Sequence, residues 1–251
     1  HGLQVRKAFI YMRDEFWILE NAPHMLIESM AIAAYALQVR NASEGSPNAT
    51  ITTEPAGANT VTFSALGRVV ASKHPGYPEG ALLQGLFGWQ EYAVVSDAAP
   101  AWTMPEQEGI PDSAWLGVLG QNGLTAYVGM HDIGAPKEGE TVVVSAAAGA
   151  VGSIAAQIAK IMGARVVGIA GGPEKCAMLT DELGLDAAVD YKAADWRDQL
   201  KAATPNGIDV DFENVGGEIM EAVFARLNIR ARVALCGLIS GYNDGEPQQL
   251  R

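Results

Sequence analysis

The 251-residue sequence predicts an α/β fold, in which a parallel sheet covered by helices on both faces follows a smaller β-rich part. Three observations carry this expectation. From residue 140 onward, short apolar β-prone runs alternate with stretches at helical spacing. The first of these runs opens into a turn of small residues and then directly into a helix. Hydrophobic residues make up 49% of the chain and charged residues only 18%, the balance of a protein with a substantial core.

The second half reads element by element. Residues 141–145 (Thr-Val-Val-Val-Ser) form a buried strand. Val151, Ile154, Ala155, Ile158, Ile161 and Met162 recur at helical spacing, and Gly163 marks the stop. Residues 165–170 are a second strand. Pro173 opens a helix reaching about Leu183, since proline is acceptable in a first turn. Residues 187–190 are a third strand, and 195–203 a helix that Asp195 is placed to cap. Residues 208–212 are a fourth strand, 218–227 a helix, and 232–236 a fifth strand.

The first half carries weaker signals. Residues 25–39 are mostly apolar despite Glu28 and Ser29, and read as a buried helix. Residues 41–60, rich in Asn, Ser, Thr, Pro and Gly, read as a loop. Residues 67–72 and 89–95 read as strands, with a Pro/Gly-rich turn at 74–80 between them. The expected division is a β-rich domain over 1–112 and an α/β domain over 113–251.

The turn after the first strand is Ala146-Ala-Ala-Gly149-Ala-Val-Gly152. Small residues here let a backbone approach a pyrophosphate, and the helix N-terminus offers unpaired N–H groups and a positive dipole end. This predicts a dinucleotide-binding Rossmann-type domain, with Ala148, Gly149, Ala150, Val151 and Gly152 at the phosphates. The other reading is that the glycines only permit tight helix–sheet packing. At the end of the second strand, an NAD site usually has an acid for the ribose 2′-OH. This chain has Ala170-Gly171-Gly172-Pro173-Glu174-Lys175 instead. Gly172 leaves the turn open, and Lys175 is placed to face a 2′-phosphate, which points to NADP(H). Lys175 as a solvated lysine, or Glu174 as the ribose acid, are the alternatives.

The net charge of −12 argues against nucleic acid and anionic membrane surfaces. Two distant cysteines suit a reducing, cytoplasmic setting rather than a disulfide framework. The four histidines and two cysteines lack paired metal-ligand spacing, so no zinc site is expected. No apolar run is long enough to span a bilayer.

Several motifs, in order, resemble one family. They are Gly67-Arg-Val-Val-Ala-Ser72, Phe87-Gly-Trp-Gln-Glu-Tyr92, Leu116-Gly-Val-Leu-Gly120, Val143-Val-Ser-Ala-Ala-Ala-Gly-Ala-Val-Gly-Ser153, Asp190-Tyr-Lys192, Asn214-Val-Gly-Gly217 and Cys236-Gly-Leu-Ile-Ser240. Together they resemble the zinc-independent medium-chain dehydrogenase/reductases, in the branch of prostaglandin, alkenal and curcumin reductases. The match covers roughly residues 65–243. The resemblance implies a GroES-like catalytic domain ahead of the Rossmann domain, NADPH as hydride donor, and reduction of a C=C bond conjugated to a carbonyl. It implies Lys175 and Tyr191 near the 2′-phosphate, and Asn214 along the cofactor. It also implies Cys236, Gly237, Leu238, Ile239 and Ser240 beside the nicotinamide. Tyr242 would face the substrate carbonyl. Tyr11, in Tyr11-Met-Arg13, is a second catalytic candidate, with Tyr92 behind it.

The sequence departs from that family in places. Gln121-Asn122 stands where Met-Pro is usual. Family chains continue beyond the equivalent of Arg251 with a further strand that forms the dimer edge, so a weakened or altered homodimer is expected. In that case residues 8–11 are β-prone enough to cover the fifth strand. The expected substrate is a small enal or enone, with quinone reduction, or NADP binding without turnover, as the alternatives. A phenol suits the chemistry, because it donates a hydrogen bond to growing negative charge while neutral at pH 7.

Overall fold

The computed structural model describes residues 3–6, 64–87, 92–95 and 101–241. The expected helix at 25–39, the loop at 41–60 and the edge-covering segment at 8–11 lie outside the described residues. The chain divides into two compact units, His1–Gln121 and Asn122–Arg251.

The first unit holds a five-stranded antiparallel sheet in the order β4-β1-β2-β3-β5. Its strands are β1 (Leu3–Arg6), β2 (Ser64–Ala71), β3 (Leu82–Leu86), β4 (Tyr92–Val95) and β5 (Trp102–Met104). Val69, Leu83, Val95 and Ala101 form its core, with Tyr77, Ala81 and Phe87 packed against them. The Tyr77 hydroxyl donates to the Ala101 carbonyl at 2.9 Å, so the turn before β3 is tied to the segment before β5. Arg68 donates to the Gly80 carbonyl and to Glu106 and Asp112, which fastens that turn from the other side.

Strand β3 is an addition to the sequence expectation, which placed only a turn between two strands. Within it, Gly85 is a glycine because a β-carbon there would lie 2.6 Å from Cε1 of the Phe87 ring. Strand β5 was missed because it is only three residues long, set between prolines at 100 and 105.

The second unit is a five-stranded parallel sheet in the order β10-β9-β6-β7-β8. Its strands are β6 (Thr141–Val144), β7 (Arg165–Ala170), β8 (Ala187–Asp190), β9 (Ile208–Glu213) and β10 (Leu227–Leu235). The helices are α1 (Gln121–Val128), α2 (Ala150–Ile161), α3 (Pro173–Ala177), α4 (Trp196–Ala203) and α5 (Gly217–Phe224). Two apolar layers sandwich the sheet. One joins Val142, Val144, Val166, Val210 and Phe212 to α2 through Val151, Ala155 and Ala159. The other joins Val143, Val167, Ile169 and Val189 to α4 and α5 through Trp196, Leu200, Ile219 and Val223. The run of valines in β6 is therefore buried on both faces, as a central parallel strand requires.

Three boundaries differ from expectation. The helix expected over 218–227 ends at Phe224, and Leu227 already pairs with Ile208 of β9. Arg226 stops it by donating from Nε to the Thr204 hydroxyl and from Nη2 to the Thr204 carbonyl. β10 is accordingly longer than 232–236, with a register shift before Arg232 and Arg230 in the left-handed region at φ 68°. The helix from Pro173 is α only to Ala177 and continues as a π-helical turn, Met178–Glu182. Asp195 does precede α4, but its side chain makes no capping hydrogen bond, because its carboxylate accepts from Gln199 Nε2 instead.

Candidate functional site

Parallel strands deliver their carboxyl ends to one rim of the sheet, and in open α/β sheets that rim binds ligands near the reversal of strand order. Here the reversal lies between the central strand β6 and its neighbour β9. The turn after β6 is tight. Ala146 adopts φ 48°, the Gly149 amide donates to the Ala146 carbonyl at 2.9 Å, and the Ala147 amide donates to Ile169 of β7 at 3.0 Å. Helix α2 starts at Ala150 immediately afterwards, with Gly149 as its N-cap residue. The first amides of a helix have no partner within it, so Ala150, Val151 and Gly152 present donors and a positive dipole end to this rim. A β-carbon on Gly152 would lie 2.3 Å from the Ala146 carbonyl oxygen. Glycine is thus what lets the helix start so close to the turn, and the packing reading of this residue has a concrete cause.

Beside it, a buried polar knot fastens β6 to β9. The Ser145 hydroxyl donates to Glu213 Oε1 at 2.7 Å and accepts from the Asn214 amide at 2.7 Å. Asn214 Nδ2 donates to the Ser145 carbonyl at 2.7 Å. The same Glu213 oxygen accepts from the amides of Val215 and Gly216. One oxygen of the fully buried Glu213 side chain thereby collects three donors, while Oε2 has no partner among the described residues. The segment after β10 hangs on this knot. Cys236 and Gly237 amides donate to the Glu213 carbonyl, Ile239 to Asn214, and Ser240 to Val215. Burial pushes the Cys236 thiol up to about 11. It is therefore an inert thiol at neutral pH rather than a nucleophile.

The third part of the rim lies where β7 and β8 end. Gly172, at φ 96°, is the N-cap residue of α3. Its amide donates to Asp190 Oδ1 at 2.7 Å, and the Lys192 amide donates to the same oxygen at 3.0 Å. These two bonds hold the Asp190 carboxyl below its usual range. The Tyr191 amide continues the ladder to the Ala170 carbonyl, and its ring is exposed. Lys175, half-buried, stands in the short helix α3 just after Gly172.

The topology thus gathers Ala148–Gly152, Gly172, Lys175, Tyr191, Asn214 and Cys236–Ser240 on the same edge of one sheet. Tyr242 and Tyr11 lie outside the described residues, and Tyr92 is described only through its backbone pairing with Arg6. Sequence reasoning missed Ser145, Glu213, Asp190 and Lys192. The signal for Ser145 was a polar residue closing the apolar run Val142-Val-Val144, whereas Glu213 follows a strand in which acids already alternate with apolar residues. Among the described residues no group of three or more His, Cys, Asp or Glu side chains is placed to hold a metal, and no helix is long and apolar enough to cross a membrane.

Comparison with known proteins agrees with this geometry. A family model described as zinc-binding dehydrogenase matches residues 150–250. The NADPH-dependent curcumin reductase of Escherichia coli (strain K12) is 48% identical over 184 residues, 72% of this chain and 52% of that protein. The NADP(+)-dependent 2-alkenal reductase of Nicotiana tabacum is 41% identical over 184 residues, 73% of this chain and 53% of that protein. The crystal structure of CurA in complex with NADPH from Vibrio vulnificus superposes with a TM-score of 0.77 at 37% identity, over 99% of this chain and 66% of that one. The chain spans about half the length of the curated relatives it matches. The antiparallel first unit has the GroES-like character, and the parallel second unit the Rossmann character, of such enzymes. On motif order, fold and identity together, the chain belongs to the medium-chain dehydrogenase/reductase family, in the group of curcumin, alkenal and prostaglandin reductases.

Proposed function

We propose that this chain belongs to an NADPH-dependent reductase of the C=C bond of α,β-unsaturated aldehydes and ketones, with residues 1–112 as the catalytic domain and 113–251 as the nucleotide domain. The observation that carries the cofactor reading is the rim itself. A small-residue turn runs into the α2 N-terminus, and the β7 end has Gly171–Gly172 and Lys175 where an NAD site has an acid. The residues fit the group: Gly152 has no room for a β-carbon, and Gly172 takes a φ that glycine favours. The carbonyl-conjugated substrate follows from what the similar reductases are named for.

When bound, NADPH supplies the hydride. Backbone donors of residues 148–152 would balance the pyrophosphate charge, and Lys175 with Tyr191 would receive the 2′-phosphate. Asn214 and the Cys236–Ser240 segment, which the Glu213 knot holds in place, would flank the nicotinamide. Tyr242 donates a hydrogen bond to the carbonyl oxygen as negative charge grows there, and returns a proton to the α-carbon directly or through water. Conjugation already polarises the substrate, so the reaction proceeds without zinc. The two cysteines are free, which suits a reducing, cytoplasmic setting.

The test is NADPH oxidation against a panel of enals, enones and quinones. Turnover of enals and enones above quinones is expected. Tight NADPH binding with no oxidation by any of them would leave a binding protein instead, and a preference for quinones would move the substrate class.

A further inference from the structure

Lys192 stands in a position that its surface exposure does not explain. A β-carbon built on Gly171 would lie 2.8 Å from Tyr191 Cε1 and 2.9 Å from Lys192 Cε. Two consecutive side chains from the β8 end therefore fold back over the same glycine at the β7 end, in space that only a missing side chain leaves open. Successive residues in an extended strand would point to opposite faces. Here Asp190 removes that alternation, because its Oδ1 accepts from the Lys192 amide and turns the chain. The same oxygen accepts from Gly172, so one carboxylate fixes both the turn and the residue leaning over it. Its acceptor capacity at that atom goes to amides; the Lys192 ammonium makes no hydrogen bond to an acid among the described residues, and its charge acts on the Asp190 carboxyl through space. Lys192 is thus a cation held over the turn that the cofactor reading assigns to the adenosine ribose, in a chain of net charge −12.

We propose that Lys192 is a second cation of the 2′-phosphate site, so that NADP(H) is selected over NAD(H) by two lysines, Lys175 from the helix after Gly172 and Lys192 from the β8 end. This rests on the NADPH reading above. Asp190 and Gly171 are its positioning residues. Asp190 anchors the loop, and Gly171 keeps open the space that the Tyr191 ring and the lysine stem occupy. An acid at this corner would ordinarily favour a ribose diol. The Asp190 oxygen is instead taken by two backbone donors, which lowers its conflict with a phosphate.

The experiment is equilibrium titration of the full chain with NADPH, NADH, adenosine 2′,5′-bisphosphate and 5′-AMP, followed by protein fluorescence. Lys192→Ala is expected to weaken NADPH and the bisphosphate about fivefold, the range of an exposed charge pair, with NADH and AMP unchanged. The loss shrinks as salt rises, as a screened contact requires. Lys192→Arg retains most of the preference. Gly171→Ala, which displaces both side chains, lowers the NADPH:NADH ratio as well. Circular dichroism of each variant checks that the fold is kept. Unchanged NADPH affinity in Lys192→Ala, while Lys175→Ala loses the preference, overturns the second cation and leaves the cofactor reading standing. Equal loss for NADPH and NADH also overturns it, because that marks a structural role. Equal affinity of the unmodified protein for both cofactors overturns the cofactor reading and this proposal together.

Discussion

Asp211 sits on β9 fully buried, and neither of its carboxylate oxygens has a hydrogen-bond partner among the described residues. Burial, with a smaller push from the Glu213 charge, raises its carboxyl well above the usual range. Burial therefore favours the neutral form of this group in the fold. The sign follows from linkage. A carboxyl with a raised folded-state value contributes stability that is present below its unfolded value, near 4, and is lost as pH rises toward the folded one. Asp211→Asn keeps the shape and removes the ionisation. It is expected to raise the thermal midpoint, by more at pH 8 than at pH 5, with a gain of about 1–3 kcal/mol at the upper end. Calorimetry at the two pH values checks this, and an equal shift at both would remove the ionisation argument. Tyr242 is the other residue-scale case, proposed from the motif Ile239-Ser-Gly-Tyr-Asn243. Tyr242→Phe should leave NADPH affinity unchanged and lower turnover of an enone roughly tenfold, less than loss of a fixed oxyanion donor if water substitutes. Steady-state kinetics decide it, since an unchanged turnover number makes the tyrosine structural.

At the scale of elements, β10 is an edge strand whose register depends on one arginine. Arg232 pairs with Glu140 through its two terminal guanidinium nitrogens and also donates to the carbonyls of Gly134, Ala135 and Asp209. It thereby joins the edge strand to the π-helical turn Gly129–Gly134, to the residue before β6, and to β9. The Arg232 hydrogen bond holds the Glu140 carboxyl below its usual value against the opposing effect of burial. That contribution is present above the unfolded value, about 4.3, and is lost as pH falls through the folded one. Arg232→Ala should cost about 1–3 kcal/mol, because it strands several carbonyls as well as the acid. Glu140→Gln should cost less, and its deficit should narrow below pH 4. Urea denaturation at pH 7 and pH 3.5 measures both. A deficit that stays constant across that range would show that the ion pair contributes little beyond packing.

At the scale of the whole molecule, the zinc-free reading predicts that prolonged chelation changes neither the unfolding midpoint nor any NADPH oxidation. Stoichiometric zinc by metal analysis of purified protein would count against it. How much of this protein was legible in its sequence depends on how local each feature is. The order of strands and helices after residue 140, the turn into α2 and the open Gly171–Gly172 corner are set by spacing and residue size within one short segment, and all three appear where the sequence places them. β3 was not read from the sequence, and within it Gly85 answers to the Phe87 ring rather than to its own backbone preference. The end of α5 was misplaced because its stop is Arg226 reaching Thr204, 22 positions away in the chain. The sequence by itself determined the family, the Rossmann-type order and the side of the sheet on which a dinucleotide would lie. Only the tertiary structure decided that Ser145 and Glu213, 68 positions apart, close one knot, that Asp211 is buried without a partner among the described residues, and that Lys192 leans over Gly171. The reason is physical: periodicity and turn chemistry act between near neighbours, whereas burial and charge depend on which distant strands the sheet brings side by side.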